Sequence, residues 1–278
     1  MESIPQLVGK VKEWNMALGN DLAVNFYLEI SDSIVSTAKV QLIQDDRIIT
    51  AKISDLEKTA DGLYKISVHM AATQMNDSIT VMVKNGSDKV PSADYSIRQY
   101  CDTLLADESA NEYHALIKEM LNYGAAAQAY FGYESDGAAN EGITGAGQTA
   151  VPERAPEMSV NGTAGNVWCY GASLVYESKI AVRFYFSGDM SGCTFAIGEQ
   201  TYTPVAKNGL YYIEVSDILP QNLDETIVVT ISSGEDTLTI AYSPLTYIVR
   251  MNAKGSESLQ NLMRALYNYH LAAKALAA

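Results

Sequence analysis

The chain has 278 residues, of which 47% are hydrophobic, and its formal net charge at pH 7 is −14. This length exceeds one ordinary core and predicts two domains, while the hydrophobic content argues against large-scale disorder. The negative charge repels phosphate groups, which makes nucleic acids and anionic membrane surfaces unfavourable partners. No apolar run approaches the ~20 residues that span a bilayer, and the opening "MESIPQLVGKVKEW" lacks the apolar region of a signal peptide. We therefore expect either a cytoplasmic protein or a module of a larger secreted chain.

The first elements along the chain are predicted strands. In "LAVNFYL", residues 22–28, apolar side chains occupy every second position, which predicts a strand with one buried face. The segment "KVQLIQDDRIITAKI" predicts two strands joined at Asp45-Asp46. Asp61-Gly62 is a strong signal for a type I′ turn, and "SITVMVKNG" adds a further strand and turn. Short strands closely spaced by turns are typical of an antiparallel sandwich.

Two helices are predicted to follow these strands. Residues 96–106 form the shorter one, and Ser109 with Glu112 matches the S-x-x-E capping box that starts a longer helix. Along that helix apolar residues recur at steps of four and three, which keeps them on one face: Leu116, Met120, Tyr123, Ala127 and Tyr130. The small residues 124–127 would let another helix or the sheet approach closely. We expect the helix to cover the sandwich of its own domain.

A linker is predicted next. The stretch "ESDGAANEGITGAGQTAVPERAPE" is rich in Gly and Ala, lacks periodic apolar residues and ends in two prolines. It divides the chain into a first lobe (residues 14–133), a linker (134–159) and a second lobe (160–278).

The second lobe repeats the plan of the first. "IAVRFYF" predicts a half-buried strand, and "TFAIGEQTYTPV" predicts a hairpin with Gly198-Glu199 in a type II′ turn. Asn208-Gly209 predicts a type I′ turn, and "TIVVTISSG" a further strand and turn. Residues 243–253 predict a short helix. The longer helix after it again carries a stripe at steps of four and three: Leu262, Leu266, Tyr269, Ala273 and Leu276.

Three blocks of sequence recur in the same order in both lobes. "LAVNFYL" matches "IAVRFYF", "DGLYKISV" matches "NGLYYIEV", and "LNYGAAAQAYF" matches the "YNYHLAAKA" of the last helix. Ordered agreement of this kind indicates duplication of one structural unit. The first copy has 11 more residues between its first two blocks, and we expect them in a longer hairpin or loop.

Residues that commonly carry chemistry are sparse: Cys101, Cys169, Cys193, His69, His114 and His270. The cysteines share no zinc-ligand spacing and favour buried thiols, although Cys169 and Cys193 could pair. The histidines lie in no metal or nucleophile motif. "NGSDK" and "SSGED" lack the alternating acidic ligands of calcium loops. The sequence therefore predicts a non-enzyme without a cofactor or metal, while a hydrolase site that no motif announces stays the weakest alternative.

The choice of aromatic residues is the most informative chemical feature. Tyr outnumbers Phe 18 to 5, and there are two Trp. Such rings stack on the apolar face of a sugar while polar neighbours bind its hydroxyl groups. The candidate glycan-stacking residues lie on outward strand positions or just before the first predicted strand of each lobe: Trp14, Tyr27, Trp168, Tyr170, Tyr185 and Tyr212. The alternative is structural, because outward Tyr is common on strands and Trp often plugs the end of a sandwich.

The stretches "MALGNDLAVNFYL" and "GASLVYESKIAVRFYF", with "LNYGAAAQAYF", resemble modules of large surface proteins from gut Gram-positive anaerobes. Those modules pair a β-sandwich with a C-terminal helical segment. The two-lobed arrangement is similar to the starch adherence system proteins of amylosomes, which are non-catalytic and bind α-1,4-glucan. The resemblance implies a secreted or cell-surface setting and a starch-binding role, and it carries over no site residue.

We therefore predict a β-rich α+β fold of two tandem antiparallel, immunoglobulin-like β-sandwich lobes, each followed by a C-terminal helical hairpin. The predicted function is non-catalytic carbohydrate binding, with starch or malto-oligosaccharide held in a groove that uses both lobes. The chain is expected to act as a monomer within a larger multi-domain protein. The alternative is a protein-interaction or spacer module of a bacterial surface protein.

Overall fold

The computed structural model describes residues 9–18, 22–45, 47–135, 137–176, 179–216 and 218–278. The strands of the first half (residues 9–133) are β1 (Lys10–Leu18), β2 (Leu22–Glu29), β3 (Lys39–Gln44), β4 (Arg47–Lys52), β5 (Glu57–Lys58), β6 (Tyr64–Met70), β7 (Ile79–Asn85) and β8 (Asp88–Tyr95). Those of the second half (residues 159–278) are β9 (Ser159–Gly162), β10 (Trp168–Val175), β11 (Ala181–Ser187), β12 (Cys193–Ile197), β13 (Gln200–Tyr202), β14 (Val205–Lys207), β15 (Leu210–Val215), β16 (Ile227–Ser233) and β17 (Asp236–Tyr242). The helices are α1 (Ile97–Ala106), α2 (Asn111–Phe131), α3 (Pro244–Lys254) and α4 (Glu257–Ala277).

The sheets repeat one strand order. In the first half the orders are β1-β2-β6-β5 and β4-β3-β7-β8. In the second half they are β10-β11-β15-β14 and β13-β12-β16-β17, with β9 added beside β17. The strand pairs of the described residues are antiparallel, which confirms the predicted β-rich antiparallel class. Each strand of the first half thus has a counterpart at the same place in the second.

Within each half the two sheets pack face to face through aromatic rings. Phe26 of β2 contacts Tyr95 of β8 across the sheets, with ring centroids 5.2 Å apart. In the second half Phe186 of β11 meets Phe195 of β12 at 5.1 Å. These phenylalanines are fully buried, as strand alternation predicts for one inward face. Each half is therefore a β-sandwich with an apolar interior.

Of the two turns predicted to be type I′, the structure has one. Asn208 and Gly209 have φ values of 52° and 80°, which confirms the type I′ turn. At the other predicted type I′ site, Gly62 alone has a positive φ, of 80°, so Asp61-Gly62 is not such a turn. The Gly62 N–H instead donates to the Thr59 carbonyl at 2.9 Å, closing a four-residue turn. The connection between the flanking strands is longer than the two residues of a type I′ hairpin, and Gly62 lies near its end.

The extra residues of the first half are divided between the strands of one hairpin and several connections. The β3–β4 hairpin covers residues 39–52, against 193–202 for its counterpart, and it turns at Asp45, whose φ is 48°. The second residue of that predicted turn, Asp46, lies outside the described residues. The connections from β2 to β3 and from β5 to β6 are also longer than their counterparts. The expectation of a longer hairpin or loop is therefore met only in part: the hairpin is longer, but other connections absorb the remaining residues, at small entropic cost.

The two short helices begin where the sequence predicts them. The Ser96 hydroxyl accepts a hydrogen bond from Gln99 N at 3.1 Å, and the Ser243 hydroxyl accepts one from Leu245 N at 3.3 Å. These N-caps start α1 and α3, one residue after each serine.

The predicted capping box of α2 is wrong. The helix begins at Asn111, and Ser109 lies in a preceding 3-10 turn. The carboxylate of Asp107 accepts the Ser109 N–H at 2.9 Å, so Asp107 caps this turn and Glu112 has no capping partner. The reason is that the chain enters the helix through a tighter turn, which moves the first free N–H groups upstream.

Helices α2 and α4 pack against each other at the centre of the molecule. The rings of Tyr123 and Tyr269 stack with centroids 5.9 Å apart and planes 18° apart, and both side chains are buried. The helices run antiparallel, because Leu116 near the start of α2 and Leu276 near the end of α4 line one groove. Each helix also packs on a 3-10 turn of its own half. The expectation that each covers its own sandwich therefore describes only one of two contacts.

The predicted linker lies along both long helices. It contains no helix or strand between residues 137 and 158. The N–H of Gly147 donates to the Glu119 carboxylate on α2, and the N–H of Thr149 donates to Asn268 Oδ1 on α4 at 3.0 Å. The segment therefore packs along the helices, with some of its apolar side chains buried, and is hydrogen-bonded to both halves.

We predict that Gly124→Ala destabilises the protein, although Ala is the better helix former. A Cβ at this position would lie 2.6 Å from Met75 Sδ and 3.0 Å from the Ala72 carbonyl oxygen. Overpacking of this kind lowers the free energy of unfolding by about 1–3 kcal/mol, against the ~1 kcal/mol gained from helix propensity. Urea denaturation measures the net change. Ala129→Gly, at an exposed position of the same helix, calibrates the propensity effect, and a more stable Gly124→Ala protein would contradict the close approach.

We predict that Glu119→Gln raises Tm at pH 7 by a few degrees and has little effect near pH 4. Burial raises the pKa of the Glu119 carboxyl above its usual 4.5, so the folded state holds this proton more tightly than the unfolded state. That stabilisation is present below the usual pKa and is lost as pH rises through the folded pKa. Glutamine stays neutral, and its carbonyl can still accept the Gly147 N–H. Thermal melts at the two pH values test this, and an equal shift at both would show that charge is not the cause.

Candidate functional site

Four of the six predicted site residues share the outer face of the β10-β11-β15-β14 sheet. Trp168 is paired with Ser187 on β11, and Tyr185 of β11 is paired with Tyr212 of β15. A β-bulge between Cys169 and Gly171 inserts Tyr170 as an extra residue on the edge strand. Trp168 and Tyr170 are 72% and 73% exposed. We call Trp168, Tyr170, Tyr185 and Tyr212 the aromatic face.

Neighbouring side chains hold the inner two rings of this face in place. The Ser173 hydroxyl donates to the Tyr185 hydroxyl oxygen at 3.3 Å, and the Tyr185 and Tyr212 rings lie 6.1 Å apart. The Arg183 guanidinium lies over the Tyr212 ring, 5.0 Å from its centroid. The aromatic face thus has two inner rings held by neighbouring side chains and two exposed rings on the edge strand.

An ion-pair network fixes the arginine. Arg183 Nη2 and Lys179 Nζ lie 2.7 Å and 2.9 Å from the two oxygens of Glu214. Partial burial acts to raise the pKa of the Glu214 carboxyl, but hydrogen bonds from Lys179 and Arg183 outweigh burial and hold the pKa below its usual value. Glu214 is therefore ionised at neutral pH. The sheet surface combines ring faces with charged hydrogen-bonding groups, an arrangement that can stack on and hydrogen-bond a flat polar ligand.

Trp14 does not join such a surface. It lies within β1 opposite Phe26, and its ring packs against Tyr95 and Tyr100 at centroid distances of 5.0 and 5.1 Å. The expectation that Trp14, Trp168 and Tyr170 come before the first strand of each half is wrong. They lie in β1 and β10, edge strands whose bulges break the alternation that marks a strand in sequence.

Tyr27 occupies the equivalent outer face of the first half. Its hydroxyl accepts a hydrogen bond from Asn15 Nδ2 at 3.3 Å, and it is paired with Lys65. The β1 bulge falls at the same register as that of β10, which places Lys10 where the second half has Trp168 and Lys12 where it has Tyr170. Among the described residues, the exposed aromatic side chains of this edge strand therefore belong to the second half.

Sequence reasoning missed the polar residues around the aromatic face: Ser173, Lys179, Arg183 and Glu214. Arg183 and Tyr185 alternate with Phe184 and Phe186, so strand period alone places the arginine outward. Glu214 follows Tyr212 by two residues, which places it on the same face of β15. The strand period does not reveal that β11 and β15 are neighbours, so it could not predict the contact between Arg183 and Glu214.

Two of the histidines contact backbone carbonyl groups, and the cysteines are unpaired. His270 is buried, with Nδ1 2.7 Å from the Pro220 carbonyl oxygen, and His114 Nε2 lies 2.9 Å from the Leu104 carbonyl oxygen. The three cysteines are free thiols, and burial raises the pKa of Cys101 to about 12. In the described ranges no three His, Cys, Asp or Glu side chains cluster as metal ligands would.

Comparison with known proteins gives little. No family model matches the chain, and no curated protein matches it. Among solved structures, an ICAM-5 D1–D4 ectodomain fragment aligns at 7% identity with a TM-score of 0.23, covering 83% of this chain and 52% of the fragment. A chimeric titin Z1Z2-Z1Z2 tandem aligns at 8% identity with a TM-score of 0.19, covering 83% of this chain and 97% of the tandem. The chain thus spans about half the length of the ICAM-5 fragment, and likenesses this low carry no argument. Separately, no helix in the described part of the chain is long and apolar enough to span a bilayer.

We predict that the two tryptophans differ in their access to solvent. Trp168 is 72% exposed, whereas the Trp14 ring packs between Tyr95 and Tyr100. Acrylamide is neutral and is not repelled by the acidic protein, so its Stern–Volmer constant should be severalfold larger for Trp14→Phe than for Trp168→Phe. Equal constants would contradict the orientation of both rings.

Proposed function

We propose that the chain is a non-catalytic carbohydrate-binding module and that sugar rings stack on its aromatic face. The observation that carries the proposal is the pair Trp168 and Tyr170, each more than 70% exposed on one sheet surface. Exposed aromatic residues that lie together on one surface, unlike single ones, often mark an interaction site. Behind them, Tyr185 and Tyr212 continue the surface and are held by Ser173 and Arg183.

The chemistry of this surface favours a neutral sugar polymer. A sugar ring offers C–H groups to an aromatic face and hydroxyl groups to neighbouring charged side chains such as Arg183 and Glu214. The net charge of −14 repels acidic polysaccharides, whereas a neutral glucan meets no such barrier. The resemblance to starch adherence modules favours α-1,4-glucan as the polymer, and with it a place in a larger secreted or cell-surface protein.

We further propose that the chain is a tandem of two immunoglobulin-like sandwich units, each ending in a helical hairpin. The repeated strand order and the helix pair that ends each half support this. Binding that uses both halves stays a prediction. In the first half, Lys10 and Lys12 stand where the edge aromatics would be, so its contribution would come from Tyr27 or from polar contacts.

A protein-interaction surface is the second candidate. Trp, Tyr and Arg are the residues most enriched among interface hot spots, and Trp168, Tyr170 and Arg183 share this face. A protein partner would use the same residues, so the two candidates differ in ligand and not in location.

We predict that the double variant Trp168→Ala, Tyr170→Ala loses at least about tenfold in affinity for amylopectin in affinity electrophoresis. Each ring contact is worth about 0.5–1.5 kcal/mol beyond its buried area, and 1.4 kcal/mol is a tenfold change. The matched control is Lys10→Ala, Lys12→Ala, at the same register of the first half. Binding by the wild type should persist in 1 M NaCl, because stacking is screened little.

The outcomes separate the candidates. Equal retardation of wild type and aromatic double variant would reject stacking on this face. Absence of retardation of the wild type by amylopectin, cellulose derivatives and xylan would favour a protein partner. Release of reducing ends from any of these polymers would reject a non-catalytic module.

A further inference from the structure

A second concave site lies where the two long helices meet the linker. It is a cavity of about 500 Å³, bounded by α2, α4 and residues 147–150. Its polar lining consists mainly of amide and guanidinium side chains: Asn122, Asn140, Gln148, Asn261 and Arg264. We call it the helix–linker cavity. It shares no residue with the aromatic face, so nothing argued for that face bears on it.

Small side chains leave this space open. Ala125, Ala126 and Ala129 present methyl groups on the α2 side, and Ala265 does so on α4. Larger residues at these positions would fill the gap between helices and linker. The alanines form an apolar base and the amide side chains a polar rim, and the volume of the cavity suits a small ligand.

The rim has unused hydrogen-bonding capacity. An amide side chain offers two donors and two acceptor sites, and a guanidinium offers five donors. Asn140 Nδ2 donates to Asn122 Oδ1 at 3.1 Å, and Arg264 Nη2 donates to Asn261 Oδ1. These are single bonds, which leave the remaining donors of Asn140, Asn261 and Arg264 free within the described residues.

A buried carboxylate borders the same place. Glu119 is 6% exposed and accepts the N–H of Gly147, which lines the cavity, but its Oε2 atom is buried without a partner in the described residues. Glu119 itself does not line the cavity, but it interacts with the Asn122 amide, which does, so the carboxylate helps to position the polar lining.

We infer that the helix–linker cavity binds a neutral, hydroxyl-rich small molecule, with one or two sugar units as the class. Hydroxyl groups donate and accept at once, which matches a rim of amides better than it matches a charged or apolar ligand. One arginine and one buried carboxylate give the site little net charge. The volume is large enough for a disaccharide.

The test uses the full chain carrying Trp168→Ala and Tyr170→Ala, so that the aromatic face is removed. Maltose, cellobiose and xylobiose are titrated separately, and the side-chain amide signals are followed by two-dimensional NMR. We expect saturable shifts of the Asn and Gln signals with at least one sugar, with Kd of order 1 mM. No saturable shift with any of the three would overturn the proposal.

A matched pair of variants locates the binding. Ala129→Leu, in the same background, extends a side chain into the cavity from an exposed helical position and should weaken binding at least tenfold. Ala275→Leu makes the same change at the equivalent position of α4, which does not line the cavity, and should bind like its parent. Equal affinity of the two variants would place the sugar elsewhere and reject this site. Failure of the aromatic face leaves these results unaffected, because every protein compared here lacks it.

Discussion

The stack of Tyr123 on Tyr269 is the contact on which the rest of the molecule depends. It joins the longest helices of the two halves at their crossing, and burial raises the pKa of both phenols, which therefore stay neutral. The Tyr123 hydroxyl donates to the Tyr176 carbonyl at the end of β10, at 3.3 Å. One side chain of the first half thus contacts both the helix and the sheet edge of the second. Separating the halves would expose both buried rings to water, so the stack stabilises the contact between the halves.

Both residues of the repeated Asn-Tyr motif make structural contacts in both copies. The two tyrosines face each other across the helix pair, while Asn122 and Asn268 both hold the linker, through Asn140 and the Thr149 backbone. The next position differs between the copies. Gly124 lets the Ala72 backbone approach α2, whereas His270 reaches out to the Pro220 carbonyl at 2.7 Å. Each helix packs on a 3-10 turn of its own half. In the first half the absence of a side chain at Gly124 allows this contact, and in the second half a hydrogen bond from His270 makes it.

Local sequence patterns predicted the strands and helices well. The predictions that failed concern features that depend on contacts between residues distant in sequence. Alternation places Phe26 and Phe184 inward, and Asn-Gly at residues 208–209 identifies its turn, because each depends on neighbours in sequence. The capping box failed because Asp107 competes for the same N–H groups, and Trp14 faces inward because Tyr95 and Tyr100 of later elements receive its ring. The aromatic face could be assembled from strand period for Tyr185 and Tyr212. The helix–linker cavity could not be predicted from sequence, because no periodic pattern indicates how a segment without regular structure packs against two helices.

The two halves share an inner architecture and differ on their outer sheet faces, which follows from what the fold requires. Inward positions must fill a sandwich, so Phe26 and Phe184 stay alike, whereas outward positions need only tolerate water. The β-bulge has the same register in β1 and β10, but the residues it presents are Lys12 in one and Tyr170 in the other. At the preceding outward position, Lys10 pairs with Glu29 at 3.0 Å, a solvated ion pair of small energetic value. Trp168, which is 72% exposed, has no comparable partner among the residues that the structure describes. The sandwich does not depend on this ring, so the position can differ between the halves, and the binding proposed for the aromatic face would explain why the second half exposes a tryptophan there.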